Sequence, residues 1–234
     1  MVPRRGHRER HPQTNWLRDV ILGGQDGLVN ILGIILGVIA GGGSHTVLLA
    51  AGFAAAITES ISMGAVGYTS SMAERDYYRA EMAREANEIE TVPDVERQEI
   101  RDIYTAKGLS GKLLDDVVDT ITADRRVWLT TMMGEELHLQ PKDTSDIIRT
   151  SVVITIATLI GHVIPLLPFL ALPRDPALIV AIALSALVLF AVGVYSAVTL
   201  VGSWWKSGLR MLFIGLGAAA LGFLVGRLFS STAL

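Results

Sequence analysis

The amino-acid sequence predicts an all-α integral membrane protein with five transmembrane helices and a helical domain between the second and the third. Half of the 234 residues are hydrophobic and only 18% are charged, which is less charge than a soluble domain of this length normally carries. The apolar residues gather in five windows that match the thickness of a bilayer. The chain contains no Cys, which excludes disulfides, thiolate zinc sites and thiol catalysis.

The five windows are predicted to cross the membrane in succession. They are Val20–Ala40, Val47–Tyr68, Val152–Leu172, Ala177–Val201 and Leu209–Phe229. One such window is also compatible with a buried core helix, but five in one chain favour membrane spans. Pro165 and Pro168 predict that the third span kinks or ends early. Gly33 and Gly37 in the first span match a small-residue packing motif, whose partner helix the sequence does not identify.

The distribution of Lys and Arg predicts which ends of the spans are cytoplasmic, because these residues mark cytoplasmic loops. Eleven of them lie in the hydrophilic segment 72–150 and five in the N-terminal arm 1–18, whereas the loop between the first two spans has none. We therefore predict a cytoplasmic N-terminus and an extracytoplasmic C-terminus. The basic arm is expected to fix this topology or to contact anionic lipid, and nothing in the sequence supports nucleic-acid binding.

The chain accordingly divides into four parts. These are the cytoplasmic basic arm 1–18, transmembrane helices one and two in 19–72, a cytoplasmic helical metal-binding domain in 73–142, and transmembrane helices three to five in 143–234. No helix breaker follows the second span, so it is predicted to continue as one long helix. A second helix is predicted after Pro93, with Asp94 as its N-cap and Gly108 as its C-cap, and one or two more helices follow.

The helical domain has an excess of acids, 16 against 10 bases, and its glutamates recur at helical spacing. Neighbouring pairs of like charge destabilise an isolated helix, and a bound cation would remove that cost. The residues in this pattern are Glu81, Glu85, Glu88, Glu96 and Glu99. The same pattern is also compatible with a solvated acidic face, with Arg84 and Glu88 as an ordinary ion pair.

The segment WLTTMMGEELH is predicted to place thioether, carboxylate and imidazole groups on one helix. These are Met132, Met133, Glu135, Glu136 and His138. A mixed set of carboxylates and thioethers suits a borderline ion such as Fe²⁺ without excluding Mn²⁺ or Co²⁺. The alternative for the two adjacent Met residues is that they fill the core.

Two acids lie inside the predicted spans, where a carboxylate is costly and usually faces a cavity or a partner. Asp26 and Glu59 have no Lys or Arg near mid-span, and Met63 follows Glu59 by one helical turn. A two-fold axis would bring both copies of each acid together, so that a divalent cation and protons compete for them. Asp26 is alternatively a helix-capping or interhelical hydrogen-bonding residue, and Glu59 a structural one. His162 is either a packing or hydrogen-bonding residue or a proton relay.

Five pieces of the sequence resemble the vacuolar iron transporter family, in matching order and spacing over nearly the whole chain. They are GGQDGLVN, SISMGAVGY, REANEIETVPDVERQE, WLTTMMGEEL and IPLLPFL. The resemblance implies a homodimer with five transmembrane helices per subunit and an ion path at the dimer interface. It also implies exchange of Fe²⁺ for protons, with metal bound by the helical domain and moved out of the cytoplasm.

The resemblance also implies roles for individual residues. The metal-binding positions of the family correspond to Glu85, Glu88, Glu96, Glu99, Met132, Met133 and Glu136. Its path residues correspond to Asp26 and Met63. Plant-type members have a path glutamate where this chain has Ala55, whereas Glu59 here lies one turn nearer to Met63 and still faces the same side of the helix.

The sequence as a whole predicts a proton-coupled transporter that moves Fe²⁺, with Mn²⁺, Co²⁺ and Zn²⁺ not excluded, out of the cytoplasm for detoxification or storage. We expect no enzymatic activity and no prosthetic group. The alternatives are a membrane-anchored iron sensor and a ferroxidase-like protein. The second would use Glu135-x-x-His138, but such sites normally have two elements of this type. A prokaryotic cytoplasmic membrane is favoured, and a vacuolar membrane also fits the topology.

Overall fold

The structure is a computed structural model that describes residues 15–200 and 202–231. Over these residues it contains eight α-helices, one π-helical turn and no β-strand, which confirms the all-α prediction. The helices are α1 Asn15–Ala40, α2 His45–Thr91, α3 Pro93–Ala106, α4 Gly111–Thr122, α5 Arg125–Thr131, α6 Thr144–Ala171, α7 Arg174–Leu200 and α8 Trp204–Ser231. Most of the predicted basic arm lies outside the described residues.

Five of the described helices, α1, α2, α6, α7 and α8, are long and apolar enough to cross a membrane. This confirms the predicted number of spans. The expected early end of the third span is wrong, because α6 continues past Pro165 and Pro168 to Ala171. Leu166 and Phe169 are almost fully buried in this stretch, so the packing of their side chains holds the helix where each proline removes a backbone donor.

The chain forms two compact units, one of residues 69–147 and the other of the remainder. The larger unit holds the apolar helices. Its core is a cluster of aliphatic and aromatic side chains from α1, α2, α6 and α7. The buried members are Ile31, Ile35, Leu48, Ala56, Leu166, Phe169, Ala177 and Ala181.

Glycines allow α1 and α8 to approach each other closely in the larger unit. A Cβ atom built on Gly222 of α8 would lie 2.5 Å from the carbonyl oxygen of Gly33, and one on Gly226 would overlap the carbonyl oxygen of Gly37. The partner of the Gly33-x-x-x-Gly37 motif is therefore α8. Arg174 caps the C-terminal end of α1, since its Nη2 donates to the Ile39 carbonyl oxygen at 2.9 Å.

The smaller unit consists of the polar end of α2 with α3, α4, α5 and the π-helical turn Met132–Glu136. Its core brings together residues from each of these elements. They are Ile89, Ile100, Leu114, Val118, Ile121, Trp128 and Met132. The prediction that α2 continues as one helix beyond its apolar half is confirmed, since it runs unbroken to Thr91.

The ends of α3 differ in part from the prediction. Asp94 is not the N-cap, because Pro93 already occupies the first helical position, for which its fixed φ is suited, and Val92 precedes it without a side-chain cap. At the other end Lys107 is the C-cap, and Gly108 follows it with φ 94°. The Gly108 and Leu109 amides donate to the Thr105 and Tyr104 carbonyls, which is a Schellman motif.

The contact between α1 and α8 predicts opposite outcomes for two of its glycines. Gly222→Ala should lower the stability of the larger unit by about 1–3 kcal/mol, because its Cβ meets backbone that cannot yield. Gly33→Ala should be tolerated, because a Cβ there meets nothing within 4 Å. Thermal unfolding of the two variants in detergent tests this, with Gly217→Ala as a control at another open position. Equal midpoints for Gly222→Ala and Gly33→Ala would contradict the close approach.

Candidate functional site

The intramembrane acid Glu59 has a partner that the sequence left undecided. His162 on α6 is fully buried, and its Nε2 lies 2.9 Å from Oε2 of Glu59 on α2. The other ring nitrogen, Nδ1, lies 2.8 Å from the carbonyl oxygen of Thr158. The Glu59 side chain retains 23% of its exposure, so one carboxylate is both held by the helix bundle and still accessible.

The two contacts of His162 limit how its ring can be hydrogen-bonded. The Thr158 carbonyl only accepts, so a hydrogen bond to it requires a proton on Nδ1 of His162. A hydrogen bond between Nε2 and Oε2 then requires one further proton, which either His162 or Glu59 can supply. The contact therefore suits a carboxylate and an imidazole that share one proton.

Asp26 on α1 lies close to this pair. Its carboxylate is half-buried and interacts electrostatically with both Glu59 and His162. The adjacent Gly27 explains how α1 reaches this position, since a Cβ built on it would overlap the Thr158 carbonyl and lie 2.7 Å from Nδ1 of His162. Met63 is half-buried one turn after Glu59 on α2. Two predicted path acids, Asp26 and Glu59, are thus brought together around a histidine.

The smaller unit brings five predicted glutamates into one acidic cluster. Glu85 and Glu88 lie on α2, Glu96 and Glu99 on α3, and Glu136 at the end of the π-helical turn. Glu85 is 2% exposed and Glu96 is 4% exposed. Within the described part of the chain, Oε2 of Glu85 and Oε2 of Glu96 are buried without a hydrogen-bond partner. Buried carboxylate oxygens without a donor are costly, so this arrangement is suited to a cation.

The carboxylates of the cluster lie close enough to perturb one another. Burial, followed by the charges of Glu99, Glu85, Glu88 and Glu136, raises the pKa of Glu96 to about 7. Burial is also the main cause that raises the pKa of Glu85 and the pKa of Glu136. Glu96 therefore holds its proton up to near neutral pH, which reduces the negative charge of the cluster.

Arg84 is the cation closest to several of these carboxylates. Its Nη2 lies 2.7 Å from Glu81 and 3.3 Å from Oε1 of Glu85, and its Nε lies 3.8 Å from Oε2 of Glu88. The sequence suggested only the pair with Glu88, which is the longest of the three contacts. In the described residues no three His, Asp or Glu side chains converge as a ready metal site. The cluster must therefore rearrange its side chains to surround an ion.

The methionine segment differs from the single helix that the sequence predicted. After α5, residues Met132–Glu136 form a π-helical turn, and His138 lies beyond it with φ 52°. Met132 is fully buried in the core of the unit, and Met133 is 2% exposed. Glu135 forms an ion pair with Lys107. Glu135 and His138 therefore do not share one regular helix face, which removes the geometric basis for a ferroxidase-like element.

Comparison with known proteins identifies the family to which the chain belongs. A family model described as the VIT family matches residues 17–227. The chain belongs to the VIT family. It is 32% identical to vacuolar iron transporter 1 of Arabidopsis thaliana over 94% of this chain and 89% of that protein. It is 34% identical to vacuolar iron transporter 2 of Oryza sativa subsp. japonica over 79% and 76%, and 32% identical to the vacuolar iron transporter of Toxoplasma gondii over 95% and 78%.

Membership of the VIT family confirms the resemblance that the sequence motifs indicated. The family and these relatives are transporters and not enzymes. The chain is accordingly a membrane protein with several apolar helices. Sequence reasoning missed the bond between His162 and Glu59, because 103 residues separate them and no spacing rule links α2 to α6. The only available signal was a polar residue in each of two apolar spans.

The raised pKa of Glu96 predicts that the stability of the smaller unit depends on pH. The pKa in the folded state is about 7, above the usual value for an unfolded chain. The contribution of Glu96 to the stability of the unit is therefore fully present below the pKa of the unfolded chain. It is lost as the pH rises through about 7. With a chelator present, the midpoint of thermal unfolding should fall by about 5 °C between about pH 5 and about pH 8.

Trp128 reports this transition, since it is the single Trp of residues 69–147 and lies in their core. Its fluorescence is measured after the other three Trp residues are replaced by Phe. Glu96→Gln should remove much of the pH dependence, whereas Glu90→Gln, at an exposed residue that pairs with Arg125, should keep it. A slope that survives Glu96→Gln would assign the dependence to other groups.

Proposed function

We propose that this chain transports Fe²⁺ out of the cytoplasm in exchange for protons. The names of its relatives support iron as the transported metal. The observation that carries the proposal is the pair of Glu59 and His162 beside Asp26. It provides, within an apolar helix bundle, a carboxylate and an imidazole that can share one dissociable proton. A cation that approaches Glu59 favours loss of this proton, and reprotonation favours release of the cation. Asp26, Glu59 and Met63 are the proposed path residues.

The acidic cluster is the proposed entry site for the metal. Glu85, Glu88, Glu96, Glu99 and Glu136 create a local negative field that concentrates cations. Met132 and Met133 precede Glu136 by four and three residues and are the proposed soft donors. Such a mixed donor set suits Fe²⁺ and does not exclude Mn²⁺, Co²⁺ or Zn²⁺. We place this unit on the cytoplasmic side, with the N-terminus cytoplasmic and the C-terminus extracytoplasmic, because Lys and Arg concentrate in it.

The membrane in which the protein acts is part of the proposal. The relatives named above are vacuolar iron transporters, which favours a vacuolar membrane. The compact loops fit a prokaryotic cytoplasmic membrane equally well, and export from the cytoplasm has the same direction in both. In either membrane the physiological role would be detoxification or storage of iron.

We further propose that two copies form a homodimer along α2. The exposed face of α2 includes Thr58 and Ser62, two small polar residues in an otherwise apolar stretch. At 100° per residue, Ser62 lies on the side of this face that borders Glu59 and Met63. A second copy at this position would bring both sets of path acids together and remove the small polar residues from lipid.

Single cysteines test the dimer cleanly, because the chain has none of its own. Ser62→Cys should cross-link two copies with a short bismaleimide in membranes. Ile57→Cys is the matched control, since Ile57 is also exposed but lies on the far side of the same helix face. Equal cross-linking at both positions, or none at Ser62→Cys, would contradict the proposed interface. Gel electrophoresis of the denatured protein measures the result.

The transport proposal predicts loss of iron uptake when the path carboxylate loses its charge. Glu59→Gln should lower Fe²⁺ uptake into proteoliposomes under a proton gradient by about tenfold or more, because no dissociable proton remains on this side chain. A double Glu85→Ala and Glu88→Ala variant should weaken uptake mainly at low Fe²⁺ concentration. Glu74→Gln is the control, since Glu74 is an exposed carboxylate on the same helix that pairs with Lys142.

The same vesicles distinguish the alternatives when they contain a pH-sensitive dye. Proton movement that accompanies Fe²⁺ uptake in the wild type supports exchange, and uptake without it would refute proton coupling while leaving metal transport intact. Binding of Fe²⁺ without uptake would favour the alternative of a membrane-anchored sensor. Unchanged uptake by Glu59→Gln would make this acid structural and leave Asp26 and Met63 to form the path.

A further inference from the structure

The guanidinium of Arg84 occupies the position of a cation among the carboxylates of the smaller unit. It contacts one glutamate on each side of its own helix turn and the buried Glu85 beside it. The bond to Glu85 is the informative one, because it engages Oε1 of a carboxylate whose other oxygen, Oε2, is buried and has no hydrogen-bond partner in the described residues. A divalent ion and Arg84 therefore share the same carboxylate.

The side chain of Arg84 is more exposed than each of the acids that it contacts. It is 53% exposed, whereas the side chains of Glu81, Glu85 and Glu88 are 15%, 2% and 37% exposed. When Arg84 leaves the cluster its charge returns to water, so its departure carries little desolvation penalty. The carboxylate of Glu85, whose side chain is 2% exposed, remains in the cluster when Arg84 leaves, so its negative charge stays available to an ion.

The electrostatic interaction between Arg84 and a divalent cation at the cluster is repulsive. A guanidinium within a few ångströms of a divalent ion repels it, and it also neutralises part of the negative charge that attracts the ion. At a separation of ~6 Å in a water-like dielectric, this repulsion corresponds to about a tenfold change in affinity, and salt screens it. If Arg84 instead oriented the Glu85 carboxylate for the metal, its removal would weaken metal binding. Oε2 of Glu85 is, however, already fixed by burial.

We propose that Arg84 is a built-in competitor that sets the metal affinity of the acidic cluster. The inference rests on the proposed function of the cluster as the metal entry site. Metal displaces the guanidinium from Glu85 and Glu88, and the guanidinium returns when the metal leaves. The cluster thereby fills only above a threshold concentration of free metal, and the returning positive charge assists release of the ion towards the path.

Isothermal titration of the full-length protein in detergent with Fe²⁺ under anaerobic conditions tests this inference. Arg84→Gln should tighten Fe²⁺ binding by about tenfold at low salt, with a steeper loss of affinity as salt is added. Arg84→Lys keeps the charge and should stay within about twofold of the wild type. Arg79→Gln, at an exposed arginine five residues earlier on α2, controls for a general change in charge.

The possible results distinguish the competitor role of Arg84 from the role of the cluster as the metal entry site. Weaker or unchanged Fe²⁺ binding in Arg84→Gln, with normal binding by the wild type, would overturn the competitor role alone. If Arg84→Lys behaved like Arg84→Gln, the planar fork rather than the charge would matter, and competition by charge would be wrong. Absence of Fe²⁺ binding by the wild type would instead refute the cluster as entry site. Adding Glu85→Gln and Glu88→Gln to Arg84→Gln should abolish the gain in affinity, which locates it at the cluster.

Discussion

Burial of negative charge is the constraint on which both units of this protein depend. An ionised carboxylate away from water requires a partner, a proton or a metal ion. In the larger unit His162 supplies the partner for Glu59, and its other ring nitrogen contacts the Thr158 carbonyl. In the smaller unit Arg84 neutralises one part of the acidic cluster, and a raised pKa keeps Glu96 protonated near neutral pH. In the function that we propose, a divalent cation takes over the role of each of these partners.

The packing of the helices serves the same requirement. Gly27 allows α1 to lie against His162, so that Asp26 reaches the pair from a third helix. The glycines of α8 allow an equally close approach on another side of α1. Small residues at helix contacts are typical of proteins that pack in lipid, where no hydrophobic effect drives helices together. Here they also determine which polar groups meet.

The sequence predicted those features that follow from local composition and failed where distant residues meet. Apolar windows identified five spans, and the absence of a breaker predicted the continuous α2, because both depend on neighbouring residues alone. Asp94 was wrongly predicted as a cap because Pro93 occupies the first position of α3. Helix α6 passes its prolines because Leu166, between them, and Phe169, after them, are buried in the core. The π-helical turn and the pairing of Glu59 with His162 are set by tertiary contacts, and no periodicity encodes them.

The proton that we propose Glu59 and His162 to share also bears on the energy source of transport. In the homodimer that we propose, the two pairs together hold two dissociable protons, whose charge equals that of one Fe²⁺ ion. Exchange in this ratio is electroneutral. Transport would then respond to the pH gradient and to the iron gradient, and the membrane voltage would neither drive nor oppose it.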